Sequence, residues 1–149
     1  LDSWNAASIT VDPITGNPYV FYVDFSNNAG SVLTFSGGNW SLVGNADFTG
    51  QIQNIGTYPY AAPPIAVNPI NGIPYIAYNN FSATTDSPYV APTQVMAYIN
   101  GTWTVIGPAN LSRGNSFGTS LGFVPATGTL YTGYLDLFFG VAAVRRWDP

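Results

Sequence analysis

Apolar residues alternate with polar ones in short runs along this chain, and turn residues close each run. Ser8 to Val11 is the first run, stopped by Asp12-Pro13-Ile14-Thr15-Gly16-Asn17. Asp before Pro, with Gly a few places on, is turn chemistry: the carboxylate accepts from nearby backbone, and Gly takes the positive φ that closes the bend. From about Tyr19 to Asp24 both registers are apolar, with Tyr19, Phe21 and Val23 on one face and Val20 and Tyr22 on the other. That pattern predicts a strand covered on both sides. Val32 to Phe35 reads as a third strand, Gly37-Gly38 as a tight hairpin turn, and Trp40 to Val43 as a fourth strand ended by Gly44. No segment carries an apolar stripe of helical period, and twelve prolines are scattered through the chain. The expectation is an all-β protein with negligible helix.

The same pattern recurs with a period of 56. Val11-Asp12-Pro13 returns as Val67-Asn68-Pro69 and as Phe123-Val124-Pro125. Pro18-Tyr19-Val20-Phe21-Tyr22 returns as Pro74-Tyr75-Ile76-Ala77-Tyr78 and as Leu130-Tyr131-Thr132-Gly133-Tyr134. Val32 to Phe35 followed by Gly38-Asn39-Trp40 matches Val95 to Tyr98 followed by Gly101-Thr102-Trp103, with Asn100-Gly101 in the hairpin turn. In the third copy Val141 to Val144 and Trp147 continue the match, which places Trp40, Trp103 and Trp147 at equivalent positions. The implied units span about 7–60, 61–114 and 115–149, each of four short strands, the last incomplete.

Four-stranded units of this length with one Trp each resemble the Trp/Gly blades of secreted β-propellers, of the kelch-like or tachylectin-like kind. The resemblance implies propeller-type blades around an axis and leaves the function open. Three units fall short of the roughly four to eight that close an ordinary propeller. Residues 1–6, which contain Trp4, are expected to supply a strand that completes another blade, in the same chain or a neighbour. The start at Leu1 rather than Met reads as a processed or excised product.

Composition then removes most chemistry. Only 7% of the residues are charged, all seven acids are Asp, the three bases are Arg113, Arg145 and Arg146, and there is no His or Cys. Thiol and imidazole catalysis, disulfides, Cys/His metal sites and Schiff-base chemistry are excluded. A net charge of −4 argues against nucleic acid, and no apolar run is long enough for a helical membrane span. Four N-x-S/T sequons, at Asn39, Asn80, Asn100 and Asn110, point to secretion and glycosylation. Asn80, Asn100 and Asn110 are the expected carriers; Asn39 is disfavoured by Trp40 in the middle of its sequon.

The remaining candidates are weighed residue by residue. Trp40, Trp103 and Trp147 serve blade packing or offer stacking platforms for sugars. Asp24 and Asp136 sit two periods apart, with Asn80 between; they read as turn caps rather than a glycosidase pair. The run Asp24 to Gly30 has calcium-loop spacing at its start but lacks the later ligands. The insert between Asn79 and Thr93, with Asp86-Ser87-Pro88-Tyr89, is the best single place for a specific contact. Phe138 and Phe139 are either core or an assembly patch, and Arg145 and Arg146 are placed in a turn, either solvated or, with Trp4, in assembly contacts where they pair with an Asp of a neighbour. The expected protein is a secreted, non-catalytic propeller module without cofactor that self-associates in a matrix, coat or filament. The alternative is a lectin with repeated aromatic sites that binds glycans.

Overall fold

The computed structural model describes residues 7–24, 26–52, 62–81 and 91–148. They form three antiparallel sheets of four, four and three strands, with no α-helix among them. The first sheet runs in simple meander order through β1 (Ala7–Val11), β2 (Pro18–Asp24), β3 (Ala29–Ser36) and β4 (Asn39–Leu42). The second repeats it with β5 (Ile65–Val67), β6 (Pro74–Asn79), β7 (Thr93–Ile99) and β8 (Thr102–Val105). The third has β9 (Ser116–Phe123), β10 (Leu130–Asp136) and β11 (Val141–Trp147), with β11 at a free edge among the described residues.

Local chemistry explains the turns. Asp12 Oδ1 accepts from Ile14 N–H (2.9 Å) and Asn68 Oδ1 from Ile70 N–H (2.9 Å), so the Asx-Pro corners of the first two units are built alike. Both central residues of the later hairpins have positive φ, Gly37 (60°) and Gly38 (84°) in one and Asn100 (51°) and Gly101 (83°) in the other. That is the turn whose twist matches a β-hairpin, and it is why Gly and Asn stand there.

Strand register makes the repeat physical. Ile9 pairs with Val20, Val20 with Leu33 and Leu33 with Leu42; one period on, Ile65, Ile76, Met96 and Val105 pair in the same order. Paired residues share a face of the sheet, so each unit has a front face carrying this row and a back face carrying the alternating residues. A first core joins the back of unit 1 (Phe21, Val23, Val32, Val43) to the front of unit 2 (Ile65, Ile76, Tyr78, Met96). A second joins Ala77 and Val95 on the back of unit 2 to Leu130 and Tyr134 on the front of unit 3, with Leu111 between.

The third copy departs from the expected alignment. In β11, Arg146 lies opposite Tyr131 as Thr34 and Ala97 lie opposite Tyr19 and Tyr75, so Trp147, the next residue, occupies the third-strand aromatic position of Phe35 and Tyr98, not the fourth-strand position of Trp40 and Trp103. Val144, opposite Gly133, takes the place of Val32 and Val95, three residues from the expected match. Arg145 and Arg146 lie within the strand, opposite Thr132 and Tyr131, and not in a turn. The turn after β10 carries no indole to mark its phase, and matching by residue type alone slipped there.

Candidate functional site

The two end faces of this stack are the most distinctive surfaces among the described residues. On the front of unit 2, Ile65 is 7% exposed and Ile76 is fully buried. On the front of unit 1 the equivalent Ile9 is 66% exposed, and Val11, Phe35, Trp40 and Leu42 are exposed as well. Among the described residues Trp40 meets the ring of its pair-mate Phe35 (centroids 5.4 Å apart) and stays half exposed, whereas its counterpart Trp103 is held from three sides. Trp103 stacks on Phe48 of unit 1 (4.4 Å, 3° between planes), leans on Tyr98 and donates Nε1–H to Val43 O at 2.7 Å.

Each internal joint repeats the same polar detail. Tyr78 of unit 2 places its hydroxyl 3.2 Å from Thr49 O of unit 1, and Tyr134 of unit 3 donates to Leu111 O of unit 2 at 2.9 Å. The single Tyr78 hydroxyl proton is shared between Thr49 O and Gln94 Oε1, and burial pushes the phenol above the ordinary tyrosine range. Tyr75, on the back of unit 2, is raised by burial too and meets Phe123 of unit 3 edge-on at 5.2 Å. The glycines that end the fourth strands lie under the next unit's aromatics. A Cβ on Gly44 would fall 3.0 Å from the Tyr98 ring, and one on Gly107 would fall 2.7 Å from Trp147 Nε1. The equivalent front-face tyrosine of unit 1, Tyr22, is half-buried.

The back of unit 3 is the other open face. Tyr131, Leu135 and Val144 are exposed, and a groove runs between Leu135, Ala142 and Val144 with Gly133 at its floor. Beside it, Phe138 and Phe139 are both exposed, edge to face with each other at 4.9 Å, and the Arg113 guanidinium sits 4.7 Å over the Phe138 ring. Arg146 pairs with Asp148 at 2.7 Å on the surface, and this contact raises its already high pKa.

Two shallow clefts lie along the seams between units. One is lined by Asn45, Asp47, Phe48 and Trp103, the other by Pro108, Asn110, Leu111, Arg145 and Trp147. In the first, Phe48 covers one face of the Trp103 indole, which removes that face as a sugar platform. Trp40 keeps an open indole.

The acidic candidates are engaged by their own turns. Asp24 Oδ1 accepts from Ser26 N–H (2.8 Å) and Asp136 Oδ1 from Phe138 N–H (3.0 Å). Within the stretch that has calcium-loop spacing, Asn27 donates to Asp47 at 2.6 Å. Of the sequon residues, Asn39, Asn100 and Asn110 are exposed, while Asn80 is buried and donates to Gln94 Oε1 at 3.0 Å. Trp4, the expected completing strand at 1–6 and the Asp86-Ser87-Pro88-Tyr89 insert lie outside the described residues. Among the described residues no helix is long and apolar enough to cross a membrane.

What sequence reasoning missed is the division into covered and open faces; the signal was there in Ile9, Val20 and Leu33, which repeat the row Ile65, Ile76 and Met96 that is buried in unit 2. No protein family matches the chain, and neither does any curated protein.

Proposed function

We propose that the chain is a secreted, non-catalytic module of β-propeller type that associates with copies of itself as a structural or adhesive component of an extracellular matrix, coat or filament. The observation that carries this reading is the pair of open end faces, both largely apolar, with the Arg146–Asp148 ion pair on the unit 3 face, built like faces that are buried inside the molecule. Large exposed apolar faces of this kind mark interaction sites. A propeller-type arrangement is supported by the first strands, which lie against one another from unit to unit, and by the Ser8 hydroxyl bonded to Pro63 O across the first seam at 2.6 Å. The engaged Asp24 and Asp136 support a non-catalytic reading, and three exposed sequon asparagines support secretion.

Sedimentation velocity over a wide concentration range tests it. The weight-average size should rise well above 15.9 kDa as concentration increases; a monomer that persists at high concentration refutes the reading. Produced through a eukaryotic secretory route, the chain should carry glycans at Asn100 and Asn110 and not at the buried Asn80, as read by peptide mapping.

A second reading, a glycan-binding lectin, is favoured by the open Trp40 indole and by the two seam clefts. On a glycan array it requires binding that Trp40→Ala abolishes.

A further inference from the structure

Accepting the chain as a self-associating module, we propose that a second copy packs against the first head to tail. The back face of unit 3 of one copy covers the front face of unit 1 of the other, in the register of the internal joints. The molecule itself shows what covers such a front face, because it builds the joint twice. Ile65, Ile76 and Met96 form the row that unit 1 covers on unit 2, with Val105 at its exposed outer end; Ile9, Val20, Leu33 and Leu42 are the same row on unit 1. A second row matches as well, Val67-Pro74 and Tyr98-Trp103 on unit 2 against Val11-Pro18 and Phe35-Trp40 on unit 1. None of these eight unit 1 residues carries a charge; Asp24 lies at the end of the same face, where unit 2 has the buried Asn80 and unit 3 the buried Asp136.

The back face of unit 3 matches the other half. Tyr131, Gly133 and Val144 take the positions of Tyr19, Phe21 and Val32 in unit 1 and of Tyr75, Ala77 and Val95 in unit 2, where Phe21, Val32, Ala77 and Val95 are all fully buried. In unit 1 the centre of this face is filled by the Phe21 ring, which leaves so little room that a Cβ on Gly30 would fall 2.4 Å from it. Unit 2 fills it with Ala77 and Thr93 together. Unit 3 has Gly133 and Ala142 there, and the groove between Leu135 and Val144 stays open. A front-face side chain of the size of Val20 or Tyr22 fits such a groove. The contact joins two different faces, so it is heterologous, and copies form a ring if the rotation closes or an open array if it does not.

The test uses one variant for each face. Ile9 and Val144 are each 66% exposed in the single chain, so Ile9→Asp and Val144→Asp should fold as the parent does, checked by circular dichroism and thermal melting. Each variant alone should associate about 30-fold or more weakly than the parent, as expected when a charge enters the centre of a packed interface. Mixed, they should form a 1:1 dimer, because Ile9→Asp keeps an intact back face and Val144→Asp an intact front face. If both variants still associate like the parent, the head-to-tail contact is wrong while self-association stands. The contact is equally overturned if only one variant matters, or if folded variants fail to pair on mixing. A parent chain that is monomeric throughout sinks both the contact and the function proposed above.

Discussion

The two internal joints share one frame and fill it differently. In the first, bulk comes from Phe21, Tyr78 and the stacked pair Phe48 and Trp103, and the indole N–H finds a carbonyl. In the second, Ala77 and Val95 make a shallower floor, Leu111 fills in from the loop after β8, and Trp147 replaces a tyrosine at the rim. Side-chain volumes trade within the back face of each unit: Phe21 goes with Gly30, and Ala77 with Thr93. The comparison teaches that the joint is defined by register and by its tyrosine-to-carbonyl bond, and that its volume is redistributed freely as long as the sum fills the space. It also exposes a flaw in the second joint. Thr132, at the position of Val20 and Ile76, is fully buried, and its hydroxyl is the buried side-chain atom without a hydrogen-bond partner among the described residues.

If the first joint depends on the Phe21 ring, Phe21→Ala should destabilise the chain by about 3–5 kcal/mol in denaturant unfolding. Gly30→Ala should be strongly destabilising in the parent and less so in the Phe21→Ala background, because the tightest clash is with that ring and the remaining one is with the Thr49 methyl. Additive effects would show that the two positions do not trade volume.

Trp103 and Trp40 sharpen the contrast between a covered and an open front face. Trp103→Ala should cost about 3 kcal/mol, since packing and a hydrogen bond are both lost. Trp40→Ala should cost under about 1 kcal/mol in the dilute, dissociated chain, as for an ordinary surface change. Equal losses would mean that Trp103 is not a joint residue.

The buried phenol of Tyr78 sets a pH dependence for the first joint. Its pKa is raised by burial, so above about pH 10 the unfolded chain releases this proton while the folded chain retains it. The unfolded state then binds fewer protons, and stability falls as pH rises, by up to about 1.4 kcal/mol per pH unit for this group. Tyr75 adds to the fall in the same direction. Urea midpoints measured from pH 8 to 11 should drop, and Tyr78→Phe should flatten the alkaline slope; an unchanged slope would place the effect elsewhere.

The smallest effect is a gain. Thr132→Val, which restores the residue type of unit 1, should stabilise by about 1 kcal/mol because an unpaired buried hydroxyl is replaced by a methyl. A loss on this substitution would reveal a partner for the hydroxyl.

Strands, turns and period were legible because each depends on neighbours in the chain. Alternation at Tyr19 to Asp24 and the Asx-Pro and Gly corners act over a few residues, and copies of them recur at fixed spacing. The place of Trp147 was not legible, because an indole can serve the third or the fourth strand and only pairing with Leu130 decides which. Nor was the fate of Asn80, a good sequon in sequence that folding turns inward to Gln94. The sequence by itself determined an all-β chain of three repeated units, the last with fewer strands. Tertiary structure decided which faces are covered, since Val20 and Ile76 are nearly identical as residues and differ only in whether a neighbouring sheet lies over them. Burial is a property of what packs on a face, and alternation along a strand specifies the face without specifying its cover.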